Sequence, residues 1–266
     1  MPPTPPKKRF GQHFLHDAAI RAQIVALGEL APGERVLEIG AGDGSLTRAL
    51  LAAGAEVTAA ELDRGLLPGL QALAAREPRL EILPGDAMRL DYEALPYPQK
   101  LIANLPYNIA TGLLTLLCGW PGRFPLMVVM VQREVGERLA APPGGKDYGS
   151  LTLWVNHRYG VEIRRWVPPG AFRPPPKVDS ALLRLRALPR PRVEVPDEEA
   201  YFRLIRAAFA HRRKTLLNNL KSLAGASEKS SDWREILARA GVDGGLRAEA
   251  LGAEAFARIA RAWAGE

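Results

Sequence analysis

The 266-residue chain has a single cysteine, Cys118, so no internal disulfide can form. That usage fits a reducing compartment and points to the cytoplasm. Histidine is scarce as well: His13, His16, His157 and His211 are scattered and, with Cys118, form no zinc-ligand spacing, so no metal is expected. No run approaches about 18 uninterrupted apolar residues, which argues against a membrane-spanning helix. The first residues, Met1-Pro2-Pro3-Thr4-Pro5-Pro6-Lys7-Lys8-Arg9, lack the apolar core of a secretory signal and read as a flexible, proline-rich lead-in. No internal repeat is present.

Basic residues are plentiful and unevenly placed. The chain holds 36 Lys or Arg against 29 Asp or Glu, a net +7. Residues 151–192 carry nine basic and two acidic side chains, and residues 201–221 carry six basic and none acidic. A partner with many phosphates fits that distribution, whereas +7 alone would also suit a solubilising surface.

Along the chain, short apolar segments alternate with helix-patterned ones. Strands are expected around Val36–Ile39, Val57–Glu61, Leu80–Leu83, residues 100–103 and Phe124–Gln132, with helices over 18–30, 45–54, 66–76 and a stretch ending near Cys118. This alternation predicts an α/β layer architecture. Residues 151–167 and 177–188 read as two further strands separated by the proline-rich Ala171–Pro176 loop. Beyond Pro189, Pro191 and Pro196 the pattern is helical over 197–211, 212–223, 232–240 and 252–264. The expected division is an N-terminal segment and lid over 1–17, a Rossmann-like domain over 18–186, and a small helical domain over 187–266.

Ligands of open α/β sheets bind beyond the carboxyl ends of the strands. There stands Glu38-Ile39-Gly40-Ala41-Gly42-Asp43-Gly44. Its Gly-x-Gly-x-Gly spacing departs from the Gly-x-Gly-x-x-Gly of a dinucleotide site. Glu61, at the end of the second strand, suits a pair of ribose hydroxyls, and Asp86, after the third, suits an adenine amine. Together they match an adenosine without phosphate, as in S-adenosylmethionine. Glu38 has either an indirect role at the methionine end or a purely structural one.

Asn104-Leu105-Pro106-Tyr107 follows the fourth strand. Pro106 restricts Leu105 to extended backbone and stiffens the turn. A stiff turn holds the Asn104 oxygen and a backbone carbonyl as two acceptors for an aromatic amine, whose delocalised lone pair makes it a poor nucleophile. Gripping its N–H bonds favours the geometry in which that lone pair attacks a methyl. Tyr107 is placed to stack on an extruded base. Catalysis of this kind rests on orientation and fixed dipoles, without a covalent intermediate.

The chain resembles the ribosomal RNA adenine N6,N6-dimethyltransferase family, particularly its small-subunit members. The resemblance rests on Arg9–Leu15, Glu38–Gly44, Glu61, Gly85-Asp86, Asn104–Ile109, Gln132–Val135 with Arg138-Leu139, Lys146–Leu151 and Phe172–Ser180, in family order. It implies a Rossmann-like S-adenosylmethionine-dependent methyltransferase domain with a C-terminal helical domain. It also implies dimethylation of two adjacent adenosines near the 3′ end of 16S rRNA in a small subunit or its assembly intermediate. His13, Leu15, Gly40, Glu61, Asp86 and Asn104 become expected cofactor contacts, with Gly42 and Ala87 beside them, and Phe172 joins Asn104, Pro106 and Tyr107 around the target base. Position 13 is usually Asn in that family; His13 keeps a hydrogen-bonding side chain but adds a titratable one. Phe14 is expected to anchor the lid.

Arg203, Arg206, Arg212, Arg213, Lys214 and Lys221, with His211 among them, predict a basic helical surface for RNA phosphates. A monomer without a membrane partner is expected. Other readings are a large-subunit rRNA methyltransferase conferring antibiotic resistance, a DNA or protein methyltransferase, and an RNA-binding assembly or transcription factor on the same fold.

Overall fold

The computed structural model describes residues 12–95, 99–224 and 232–265. Most of the expected lid, residues 1–11, therefore lies outside the described residues. The chain divides into two compact units, Met1–Gly136 with Tyr159–Ala187, and Glu137–Arg158 with Leu188–Glu266. The expected boundary at 186/187 is thus joined by a second exchange, because residues 137–158 group with the C-terminal helices.

The first unit is built on a seven-stranded sheet. Its strands are β2 (Arg35–Ile39), β3 (Glu56–Glu61), β4 (Leu80–Pro84), β5 (Lys100–Asn104), β6 (Leu126–Gln132), β7 (Tyr159–Val167) and β9 (Ser180–Ala187). They lie in the order β4-β3-β2-β5-β6-β9-β7. The first five are parallel, while β9 runs antiparallel to both β6 and β7. Nearly every residue of β6 is buried, which is why its sequence reads as one apolar run instead of alternating. Helices α1 (Ala18–Leu27), α2 (Ser45–Ala52), α3 (Leu67–Ala74) and α4 (Ala110–Leu117) make the connections. Asp17 caps α1 by accepting the Ala19 and Ile20 N–H groups. A core of Ile20, Ile24, Val36, Leu50, Val57, Ile102, Val128 and Leu182 fills one side of the sheet.

A two-stranded ribbon joins β1 (Phe14–Leu15) to β8 (Phe172–Arg173) in antiparallel register, Leu15 opposite Phe172. Pairing across so many residues leaves no local signal, and the pairing was not expected from sequence.

Residues 151–167, expected as one strand, split in two. Ser150–Arg158 forms helix α6, and only Tyr159–Val167 is strand. Leu151, Thr152, Leu153, Val155 and His157 of α6 are all buried, so the helix presents apolar and β-branched residues on most sides. Tertiary burial overrides their strand preference. Helix α5 (Arg133–Ala140), directly after β6, was likewise not foreseen.

In the second unit α6 is joined by α7 (Glu198–Ala208), α8 (Leu216–Leu220), α9 (Trp233–Arg239) and α10 (Ala253–Ala264). Their shared core contains Tyr148, Tyr201, Leu216, Leu220, Trp233, Phe256 and Ile259, with Leu217 packed against it. Asp197, Thr215 and Asp232 cap α7, α8 and α9, which places these helix starts within a few residues of expectation.

Candidate active site

A cavity of about 260 Å³ opens beyond the carboxyl ends of β2, β3, β4 and β5, where the chain order reverses between β2 and β5. His13, Gly40, Gly42, Glu61, Asp86, Ala87, Asn104, Pro106 and Tyr107 all line it. Leu15 and Phe172 do not; both are buried in the β1–β8 ribbon that carries His13 and Phe14 to the cavity. Residues 12–14 thereby form one wall.

The glycine turn needs its glycines. Gly40, Gly42 and Gly44 have φ of +76°, +62° and +74°, a region L side chains rarely adopt. A Cβ on Gly40 would stand 3.1 Å from the Pro106 ring, and one on Gly42 would stand 3.1 Å from the Phe14 ring. The turn is therefore in close contact with both the reaction-centre turn and the N-terminal segment.

Glu61 organises the next wall. Its Oε2 accepts the Gly42 N–H at 2.8 Å and its Oε1 accepts the Asp63 N–H at 2.7 Å. Each carboxylate oxygen keeps a lone pair for a further donor. Burial raises the Glu61 pKa, and those two backbone donors oppose the shift. Asp86 accepts the Met88 N–H at 2.9 Å and so holds the Ala87–Arg89 turn. Glu38, below the glycine turn, is buried and accepts the Thr47 hydroxyl at 2.6 Å. Burial pushes its pKa to about 8, with Asp43 and Glu61 adding to the rise, so the carboxyl is mostly protonated near neutrality.

At the reaction-centre turn the Asn104 Nδ2 donates to the His13 carbonyl at 2.9 Å. The Asn104 Oδ1 is buried without a hydrogen-bond partner. Leu105 N–H donates to the Met130 carbonyl and Ile109 N–H to the Pro106 carbonyl, both at 3.1 Å, pinning the turn to β6 and to the start of α4. The Tyr107 hydroxyl shares a hydrogen bond with Ser180 Oγ at 2.5 Å, and burial lifts its pKa to about 12. Tyr107 is also stacked against the His13 ring, with centroids 5.4 Å apart. The His13 Nδ1 lies 2.7 Å from the Pro174 carbonyl; a carbonyl can only accept, so Nδ1 carries the proton.

Several lining residues were given no individual role from sequence, although Gln12, Asn108 and Ile109 fall inside segments that carry the resemblance. Gln12 donates to Asp63 Oδ2 at 3.0 Å, while Leu62 and Met88 are exposed apolar side chains next to Glu61 and Asp86. Asn108 and Ile109 extend the wall after Tyr107. The available signal was position: Leu62 and Met88 follow the acidic strand ends closely. Among the described residues no group of three or more His, Cys, Asp or Glu is placed to hold a metal ion.

The six expected RNA-contact residues are all exposed. Arg203 lies 5.8 Å from the Trp263 ring and Arg206 lies 5.7 Å from the Trp154 ring, while Arg212 donates to the Lys146 carbonyl.

A family model for ribosomal RNA adenine dimethylases matches residues 5–263. The ribosomal RNA small subunit methyltransferase A of Magnetococcus marinus is 47% identical over 263 residues, covering 96% of this chain and 91% of that protein. A dimethyladenosine transferase from Plasmodium falciparum superposes with a TM-score of 0.78 at 25% identity, over 93% of this chain and 96% of that one. The 23S rRNA methyltransferase ErmE gives 0.68 at 27% identity, over 94% and 98%. These matches run through both units and every wall of the cavity, and the chain belongs to the ribosomal RNA adenine dimethylase family.

Proposed function

We propose that the chain uses S-adenosylmethionine to dimethylate N6 of two adjacent adenosines near the 3′ end of 16S rRNA during small-subunit assembly. One observation carries the reading: the buried, unpartnered Asn104 Oδ1 in a turn that lines the cavity. An unmatched buried acceptor costs about 1–3 kcal/mol, and a donor arriving with the substrate would satisfy it.

The cavity also fits the cofactor. Among its described lining residues none is Lys or Arg, so a pyrophosphate would meet no cation there. Glu61 has acceptor capacity for ribose hydroxyls, Asp86 with Ala87 suits the adenine edge, and exposed Leu62 and Met88 suit its faces. Gly40 and Gly42 let a ligand approach the backbone, and His13 with Leu15 secures the N-terminal wall. Bound S-adenosylmethionine supplies an electrophilic methyl on sulfur.

Asn104 Oδ1 accepts one N6–H and, with a backbone carbonyl of the Pro106-stiffened turn, directs the amine lone pair toward that methyl. Tyr107 confines the adenine, and buried Phe172 only backs the N-terminal wall through its pairing with Leu15; the Tyr107 phenol remains protonated and serves as a surface, not as a base. The protonated product amine is acidic enough to release its proton to water, so no residue of the turn acts as a general base.

Arg203, Arg206, Arg212, Arg213, Lys214 and Lys221 contact RNA phosphates in this reading, residues 12–14 wall the cofactor, and the chain works as a monomer in the cytoplasm without a metal. The small-subunit target is favoured over the large-subunit one by 47% identity to a small-subunit enzyme against 27% to ErmE. Mass mapping of RNA after reaction with small-subunit assembly intermediates tests it. Two methyls on each of two neighbouring 16S adenines are expected; methylated 23S adenines would reject the assignment.

A further inference from the structure

We propose that Trp166, with the Arg133 guanidinium beside it, is a stacking shelf for an unpaired nucleobase of the rRNA that flanks the target adenines. The proposal rests on the RNA-methylation reading and adds a contact in the catalytic unit, apart from the cavity and from the basic helices. Trp166 is 39% exposed and is the one exposed Trp, Tyr or Phe among the described residues. It stands one residue before the end of β7, an edge strand of the sheet.

The shelf is held in place. Arg133 lies 4.9 Å from the indole centroid. Its Nη1 donates to Asp179 Oδ2 at 3.3 Å and its backbone N–H to the Asp179 carbonyl at 2.9 Å. A Cβ on Gly136 would be 3.7 Å from Trp166 Cζ3, so the ring also backs onto α5. The link to the reaction centre is short: Ser180, which bonds Tyr107, pairs with Val167, and Ala181 pairs with Trp166. Trp166 and the Tyr107 contact thus lie one residue pair apart along the β7–β9 ladder.

The surroundings favour nucleic acid. Its chain neighbours Arg164 and Arg165 are exposed, Arg164 paired with Glu162 at 2.8 Å and Arg165 donating to Gln23 at 3.0 Å, and Arg173 and Lys177 on the Phe172–Ser180 segment are exposed as well. A lone aromatic among arginines suits a base with its phosphates, since base–aromatic stacking tolerates any sequence. A protein partner would call for a wider apolar patch, and here only Val178 adds one.

The test uses the full-length chain, small-subunit assembly intermediates and radiolabelled S-adenosylmethionine. Trp166→Ala should raise the KM for the RNA particle roughly tenfold without changing the Kd for S-adenosylmethionine, and Trp166→Phe should recover most of the loss. A photo-crosslinker at position 166 should label 16S rRNA. An RNA KM within about twofold of wild type for Trp166→Ala, or crosslinking to a ribosomal protein alone, overturns the shelf. If wild type methylates these particles and Asn104→Ala does not, that failure leaves the methylation reading standing. If wild type transfers no methyl to them, reading and shelf fall together.

Discussion

At Asn104 the two ends of one amide are treated differently. Nδ2 is committed to the His13 carbonyl while Oδ1 is buried and unmatched. Removing the amide should therefore hurt the transfer step far more than binding. Asn104→Ala is expected to lower single-turnover methylation by roughly 10²–10³-fold, as loss of one preorganised polar contact does elsewhere. Filter binding should show RNA affinity near wild type; unchanged methylation would contradict the role. Glu38 supports a second prediction at this scale. Its folded pKa, about 8, lies well above the ordinary carboxyl range, so the folded state binds more protons between that range and pH 8. Stability from this group is present at acid pH and is lost as pH rises toward 8. Glu38→Gln should remove that slope, gaining on the order of a few kcal/mol over wild type at pH 8 and less at pH 5. Thermal unfolding across pH measures it. Glu61, raised in the same direction, leaves a residual slope in the variant.

At the scale of elements, the glycine turn is the least forgiving. Gly40→Ala meets positive φ and the Pro106 ring together, and the strain has no exit into solvent. It should weaken S-adenosylmethionine binding at least tenfold by calorimetry, whereas Gly170→Ala, where a Cβ meets nothing within 4 Å, should not. The turn was legible because strand, glycines and helix follow one another in sequence. Glu61, Asp86 and Asn104 were legible for the same reason: each sits at or just past the end of a strand with a clear apolar pattern. Residues 150–158 were not, because a helix buried on most sides loses the 3.6-residue periodicity that identifies it. The Leu15–Phe172 pairing and the His13–Tyr107 stack were beyond reach for another reason. They join residues far apart in the chain, and no local preference encodes such a meeting.

For the molecule as a whole, charge is the dominant long-range feature. The net +7 is concentrated in stretches that the structure leaves exposed, Arg212, Arg213 and Lys214 among them. If these three neutralise phosphates, replacing all of them with Ala should flatten the dependence of log affinity on log salt by roughly 2–3. The absolute affinity should fall most at low salt, and cofactor binding should be untouched. An unchanged slope would remove them from the RNA surface. Arg203 and Arg206 differ in kind, since each is already held against an indole and its loss also removes packing.

The β1–β8 ribbon has a consequence for synthesis. One cavity wall is made by residues 12–14, among the first to be translated, yet the strand that pairs with Phe14–Leu15 is Phe172–Arg173. β9, which fills the gap between β6 and β7, comes later still and ends at Ala187. A nascent chain stopped at residue 150 would own the glycine turn, Glu61, Asp86 and Asn104 but lack the partner for its N-terminal wall. A methyltransferase of ribosomal RNA is thus itself unfinished until a ribosome has carried it well past Tyr107.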